Sequence, residues 1–217
     1  MNNSPQPLVA ATTALTCGLV LAVYWGAVLV KGIKLSRKIG KDPNFVPRER
    51  TGQWMRLVWA PTVLAWCAQP WVAGLIPATS HHWLLARLLN IRSLPVQILA
   101  VVGALAAIAA LWATFICWHR MGRSWRIGID PGETLELVVR GPYQYVRHPI
   151  YALSIALMLA VFAVVPTPLM LITAAVHITM LQVEARREEQ YLISTHGQKY
   201  QDYRHAVGRF FPKFRAS

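Results

Sequence analysis

Residues 150–183 read IYALSIALMLAVFAVVPTPLMLITAAVHITMLQV, an apolar run without a charged residue that is broken in its middle by Pro166 and Pro168. The run is too long for one straight helix, and proline interrupts helices. We therefore predict two short membrane spans, at about 150–165 and 168–183, joined by a tight turn. This hairpin decides how the rest of the chain is arranged.

The remainder of the chain is also apolar. The 217 residues are 55% hydrophobic and only 14% charged, whereas soluble domains carry about 25% charged residues. Three further apolar stretches, residues 8–30, 53–76 and 94–118, are long enough to cross a hydrocarbon core of roughly 30 Å. The third is rich in alanine and glycine, which let helices approach closely. The sequence thus predicts a single all-α integral membrane domain over residues 1–217, with five transmembrane helices.

The distribution of basic residues predicts the orientation. Lys and Arg total 22 against 9 Asp and Glu, and they concentrate in residues 31–50, 120–147 and 186–215. Five crossings with the N-terminus outside put all three segments on the cytoplasmic face, as the positive-inside rule requires. We expect residues 184–217 to form a cytoplasmic, helical C-terminal cap. The partner of this basic surface is then the lipid bilayer rather than nucleic acid, and the absence of organelle signals favours a bacterial inner membrane.

No metal site is predicted. Cys17, Cys67 and Cys117 all fall inside apolar runs and lack metal-ligand spacing. The histidines are scattered, and no pair has H-x-x-x-H spacing. His177 lies within the fifth predicted span, where we expect a hydrogen-bonded residue of the helix bundle; a residue that lines a cavity is the alternative.

A first polar cluster precedes the fourth predicted span. Residues 140–151 read RGPYQYVRHPIY. Gly141 and Pro142 predict a turn, and Pro149 suits the first position of a helix, where a missing N–H costs little. His148 then lies at or near the N-cap, beside backbone N–H groups that can bind an anion. An ordinary helix cap with interfacial tyrosine and arginine anchors is the alternative.

A second polar cluster follows the fifth predicted span, where residues 186–189 read RREE. An isolated run of this kind is usually a solvated helix face, but acidic residues close to a bilayer are candidates for function. The predicted hairpin brings the two clusters out of the membrane side by side. Their convergence on the cytoplasmic face favours a functional site.

The two clusters together resemble a known family. RGPYQYVRHPIY, then a membrane hairpin, then REEQYLISTHGQKYQDYRHAVGRFFP at residues 187–212 resembles the isoprenylcysteine carboxyl methyltransferase family, and is similar to the related membrane phospholipid N-methyltransferases. The resemblance covers about residues 121–212. It implies an integral membrane enzyme that uses S-adenosylmethionine, releases S-adenosylhomocysteine, and holds the cofactor between the hairpin helices and the C-terminal segment. The implied cofactor-binding residues are Tyr143, Arg147, His148, Pro149, Tyr151, Glu188, Glu189, Tyr200 and Tyr203.

The implied catalytic residues are Glu189, Arg187 and Arg147. A carboxylate acceptor is already a nucleophile, and Arg187 or Arg147 would orient it by paired hydrogen bonds. An amine or hydroxyl acceptor would need a base, which a glutamate with a raised pKa could supply. Family members that act on prenylated protein tails carry an arginine where this chain has Glu184, so another lipophilic acceptor fits as well.

We expect methyl transfer to a lipophilic, membrane-embedded acceptor, with a carboxylate as the leading acceptor group. Phospholipid N-methylation is an alternative within the same chemistry. A non-catalytic membrane scaffold that retains the fold is an alternative from another class.

Overall fold

The computed structural model describes residues 8–40, 49–76, 83–122, 125 and 137–213, and within these ranges the chain forms helices and no β-strand. The α-helices are α1 (Leu8–Ile39), α2 (Arg50–Leu75), α3 (Leu94–Met121), α4 (Pro149–Val164), α5 (Pro168–His196) and α6 (Gln198–Ala206). Short 3₁₀ turns lie at Trp83–Leu85 and Gly141–Gln144. The predicted all-α class is confirmed for the described part of the chain.

The α4–α5 hairpin divides where the prolines predict. α4 ends at Val164 and α5 begins at Pro168, at its first turn, where proline lacks only an N–H that would be unpaired anyway. The side chain of Thr167 caps α5 by accepting a hydrogen bond of 3.0 Å from the backbone N–H of Met170. α5 does not end at residue 183 but continues to His196, so the charged sequence after the apolar part belongs to the same helix.

The helices pack as a bundle. α1 contacts α2 and α3, α3 contacts α4, and α5 contacts both α2 and α4. A Cβ on Gly103 of α3 would lie 2.9 Å from the carbonyl oxygen of Ala160, so this glycine allows the close approach of α3 and α4. The largest fully buried side chains include Leu21, Trp66, Leu157, Met158, Val161, Met170 and Leu181.

One end of the bundle is closed by the connection between α2 and α3. Arg87 donates hydrogen bonds to the carbonyl oxygens of Val164 (2.7 Å) and Ala73 (3.3 Å), near the C-terminal ends of α4 and α2, where carbonyls lack helical partners. The backbone N–H of Leu88 donates to Pro166 in the hairpin turn at 2.8 Å. This connection and the hairpin turn therefore lie at the same end, as the five-crossing arrangement requires.

His177 is hydrogen-bonded inside the bundle. Its Nδ1 lies 3.0 Å from the indole Nε1 of Trp59 on α2, and its Nε2 lies 3.0 Å from the hydroxyl of Ser154 on α4. Because an indole N–H can only donate, Nδ1 accepts and the ring proton is on Nε2. His177 therefore joins three helices as a neutral, satisfied residue, as the sequence led us to expect.

Three helices are long and apolar enough to cross a membrane: α1 (to Lys38), α3 and α5. Large apolar side chains on their outer faces are exposed, for example Leu105 at 62%, which suits contact with lipid tails. α4 is apolar but has only 16 residues, about 24 Å of helix. α2 has 26 residues but carries Arg56 and Gln69. Five crossings and the orientation of the termini remain predictions.

Candidate methyl-transfer site at the α4–α5 end

The start of α4 is fixed by the C-terminal part of the chain. His148 is the N-cap residue and Pro149 the first helical residue, as the sequence predicts. The backbone N–H groups of Arg147 and His148 donate to the carbonyl oxygens of Gly208 (2.8 Å) and Arg209 (3.1 Å). Residues 198–213 thereby lie across the start of α4, and we call them the C-terminal strap.

Two glycines shape this arrangement. Gly197 has a φ of +55°, a left-handed conformation that glycine adopts at little cost, and it separates α5 from α6 so that the chain can turn back. At Gly208 a Cβ would lie 1.8 Å from the carbonyl oxygen of Phe211, so a side chain there would clash with the strap's own backbone. α5 thus ends at His196, immediately before Gly197.

Glu189 lies at the centre of the site, and its side chain is only 5% exposed. Its Oε1 accepts hydrogen bonds from Nε (3.2 Å) and Nη2 (2.8 Å) of Arg147, and from Nε of Arg209 (2.8 Å). Its Oε2 accepts from Nη2 of Arg209 at 2.7 Å. Arg147 also donates Nη1 to the carbonyl oxygens of Arg204 and Val207 in the strap. One carboxylate thus links α5, the approach to α4 and the strap.

His148 lies between the two glutamates. Its Nδ1 is 3.5 Å from Oε2 of Glu188, and its Nε2 is 3.3 Å from Oε1 of Glu189. Burial alone would lower the pKa of His148, but the hydrogen bonding and charges of the two carboxylates outweigh burial and raise that pKa above its usual value. The ring stacks parallel to Tyr151, with centroids 5.3 Å apart, and meets Phe210 edge-on at 6.2 Å.

Four tyrosines lie at this site. The hydroxyl of Tyr203 donates to the carbonyl oxygen of Tyr143 at 2.5 Å and so ties α6 to the 3₁₀ turn. Burial raises the pKa of Tyr203 to about 12 and raises the pKa of Tyr200 further, so both phenols stay neutral. The phenol of Tyr151 lies within hydrogen-bonding reach of Glu188.

Two buried hydroxyl groups of the site, those of Tyr143 and Tyr200, have no hydrogen-bond partner among the residues that the structure describes. Tyr143 is 6% exposed and Tyr200 1%. A buried polar group without a partner costs about 1–3 kcal/mol. Groups of this kind around two carboxylates are what a site for a polar ligand requires.

Arg187 lies apart from this cluster. It donates Nη1 to Glu184 at 2.6 Å and Nη2 to Glu49, ahead of α2, at 2.7 Å. Nη1 is also 3.2 Å from the sulfur of Met55. Of the residues singled out from the sequence, the structure brings together Tyr143, Arg147, His148, Pro149, Tyr151, Glu188, Glu189, Tyr200 and Tyr203, and it directs Arg187 toward α2 instead.

Sequence reasoning did not single out Arg209, although it lies within the second motif. A pattern of local spacing gives no sign that an arginine 20 residues after a glutamate will pair with it. Charge could have identified Arg209. A buried carboxylate such as that of Glu189 needs a cation beside it, and basic residues follow it along the chain in the strap.

The comparisons agree with the motif pair. The sequence model of the isoprenylcysteine carboxyl methyltransferase family matches residues 101–194, which run from α3 through the hairpin to the end of the RREE helix. The match covers less than half of the chain, and it supports the assignment of the chain to that family. The resemblance predicted from the two motifs is confirmed, and it supports a membrane methyltransferase. No curated protein matches the sequence.

No group of three or more His, Cys, Asp or Glu side chains that could hold a metal ion occurs in the part of the chain that the structure describes. His81 and His82 lie outside that part.

Proposed function

We propose that the chain transfers a methyl group from S-adenosylmethionine to a carboxylate on a lipophilic acceptor that reaches the site from the bilayer. The observation that carries the proposal is the meeting of the α4 start with the glutamates of α5 under the C-terminal strap. Both the α4 start and the glutamates lie within the stretch that the family model matches. The site is at the end of an apolar hairpin, which suits an acceptor that is dissolved in lipid.

The residues at this site fit the cofactor. S-adenosylmethionine supplies an electrophilic methyl group on a cationic sulfonium, together with an amino acid head and an adenine. Glu188, with a side chain that is 29% exposed, suits the ammonium group. His148 and the N-terminal end of α4 suit the carboxylate, and the ring of Tyr151 offers a face to a cation or to adenine. The unpartnered hydroxyls of Tyr143 and Tyr200 offer hydrogen bonds.

The residues of the protein align the reacting groups and exclude water from them. A carboxylate acceptor needs no base, so no glutamate has to accept a proton in the reaction. Arg187 is better placed than Arg147 to orient that carboxylate, because its partner Glu49 is 40% exposed and can give way. Arg147 is 7% exposed and is occupied by Glu189 and two strap carbonyls.

One observation favours phospholipid N-methylation as a second candidate. Arg147 and Arg187 both already bind carboxylates, and Glu184, 13% exposed, lies one turn before Glu188. A set of carboxylates with paired arginines suits a cationic amine acceptor better than an anionic one.

The experiment that separates the two candidates incubates the purified protein with methyl-labelled S-adenosylmethionine and a total lipid extract. Carboxyl methylation gives a labelled lipid whose label is released as methanol by mild base, because a methyl ester hydrolyses and an N-methyl group does not. Base-stable label in a headgroup amine would favour the second candidate. A Glu188→Gln variant serves as the control for enzyme-dependent labelling.

A further inference from the structure

We propose that Arg209 is a positioning residue that holds the C-terminal strap closed over the cofactor site through Glu189, and that Glu188 is the carboxylate left to bind the cofactor. The part that concerns the cofactor rests on the proposed function. The part that concerns the strap does not, and it can be measured without any ligand.

Glu189 is already neutralised by two arginines. Four N–H groups of Arg147 and Arg209 lie 2.7–3.2 Å from its carboxylate, three of them at Oε1 and one at Oε2. The side chain is 5% exposed, so water does not compete for it. A cationic ligand at Glu189 would have to compete with two guanidinium groups, one of which belongs to the strap.

Glu188 is in the opposite situation. Its side chain is 29% exposed, and its described neighbours are Nδ1 of His148 at 3.5 Å and the phenol of Tyr151. Neither is a permanent cation, so the carboxylate keeps capacity for a charged hydrogen-bond donor. The two adjacent glutamates therefore have separate roles: Glu188 faces the ligand, and Glu189 binds the C-terminal strap.

The two arginines contribute unequally to closure. Arg147 is 7% exposed and precedes α4, so it belongs to the fixed side of the site. Arg209 is 30% exposed and belongs to the strap itself. Its two hydrogen bonds to Glu189 form an ion pair between a strap side chain and α5. In the other hydrogen bonds described across this boundary the strap contributes neutral groups: the carbonyls of Gly208 and Arg209, the carbonyls of Arg204 and Val207 that accept from Arg147, and the hydroxyl of Tyr203.

Arg209 links its ion pair with Glu189 to His148 of the cofactor site. Its carbonyl oxygen accepts the backbone N–H of His148 at 3.1 Å, and the next residue, Phe210, places its ring against that of His148. Release of Arg209 thus uncovers His148. In this proposal the cofactor and its product enter and leave the site when the C-terminal strap moves away from His148.

The test compares Arg209→Met and Arg209→Lys with the wild type, with Arg204→Met as a matched control, since the side chain of Arg204 is exposed on α6. Two quantities are measured on the full-length protein in detergent: the hydrogen exchange of residues 198–213 without ligand, and the dissociation rate of S-adenosylhomocysteine. We expect Arg209→Met to speed both by about tenfold, Arg209→Lys to recover part of the loss, and Arg204→Met to match the wild type.

These readouts separate positioning from a loss of folding. A variant that only lost stability would bind fewer equivalents of S-adenosylhomocysteine with an unchanged dissociation rate. Unchanged hydrogen exchange of the strap in Arg209→Met would show that Arg209 does not hold the strap closed. Faster exchange with an unchanged dissociation rate of S-adenosylhomocysteine would show that the strap does not control access to the site. If the wild type itself binds no S-adenosylhomocysteine, the proposed function fails, while hydrogen exchange still decides whether Arg209 holds the strap.

Discussion

Glu189 and Arg209 form a two-pronged ion pair, with Nε of Arg209 2.8 Å from Oε1 and Nη2 2.7 Å from Oε2 of Glu189. The pair joins the C-terminal part of α5 to the C-terminal strap that lies across His148. Because Arg147 binds the same carboxylate, a single buried residue holds together three separate parts of the site.

Replacement of Glu189 should destabilise the protein. Glu189→Gln keeps the shape of the side chain but leaves buried Arg147 without its counter-charge, and loss of one partner of a buried ion pair costs about 3 kcal/mol. We expect a lower thermal midpoint in detergent, measured by the fluorescence of the tryptophans. The control is Asp202→Asn, at an exposed acid that accepts a hydrogen bond from Gln198 one turn before it. Equal thermal midpoints for the two variants would show that the ion pairs of Glu189 do not stabilise the fold.

The stability of the protein should fall as the pH rises above neutrality because of His148. Its pKa in the folded protein is raised above the ordinary value of about 6.5. The stabilising contribution of the protonated ring is therefore fully present below pH of about 6.5 and is lost as the pH rises through the higher folded pKa. The charged and titratable groups around the ring are Glu188, Glu189, Arg147 and Tyr151.

This pH effect is measured as the difference in thermal midpoint between the wild type and His148→Gln, taken at several values from pH 5.5 to 9. We expect the wild type's advantage to be largest at the acid end and to shrink toward the alkaline end. An advantage that grows with pH would mean that His148 is stabilised in its neutral form, and the charge assignment at the site would be wrong.

Arg187 should affect the acceptor and not the cofactor. Arg187→Gln removes the guanidinium that pairs with Glu49 and Glu184. This group of charges lies apart from the cluster around His148 and Glu189. We expect a KM for the lipophilic carboxylate raised about tenfold, with the affinity for S-adenosylhomocysteine within twofold of the wild type. Glu49→Gln is the matched control, because it frees Arg187 and should lower that KM or leave it unchanged. An amine acceptor would give the opposite order for the two variants.

The topology prediction can be tested at two exposed positions. The five-crossing arrangement places Asn90 outside and Lys199 inside, since the α2–α3 connection lies beside the hairpin turn and the strap lies at the opposite end of that hairpin. In a background with the three native cysteines replaced, a membrane-impermeant maleimide added to intact cells should label a cysteine at Asn90 and not one at Lys199. Labelling of both from the same side would contradict an odd number of crossings between them.

Much of the helical framework follows from local sequence. Pro166 and Pro168 divide an apolar run that would otherwise form one helix, and Gly197 ends α5, because each residue restricts or frees the backbone at its own position. The length of α5 was harder to predict. Hydropathy falls after residue 183, but the helix continues because nothing in residues 184–196 breaks it.

The site was predictable only in part. The hairpin forces the start of α4 and the end of α5 together, so the meeting of His148 with Glu188 and Glu189 follows from topology. The pairing of Arg209 with Glu189, and the turn of Arg187 toward Glu49, depend on where the strap and α2 finally lie. Contacts between distant parts of a chain are set by packing, and no spacing rule encodes them.

Binding of S-adenosylmethionine at the α4–α5 end can be measured by calorimetric titration of the product, S-adenosylhomocysteine, into the purified protein in detergent. We expect saturable binding at one site per chain, weakened at least tenfold by Glu188→Gln and unaffected by Asp202→Asn. A wild-type protein that is folded by its melting curve and yet gives no heat of binding at millimolar ligand would contradict the proposed function.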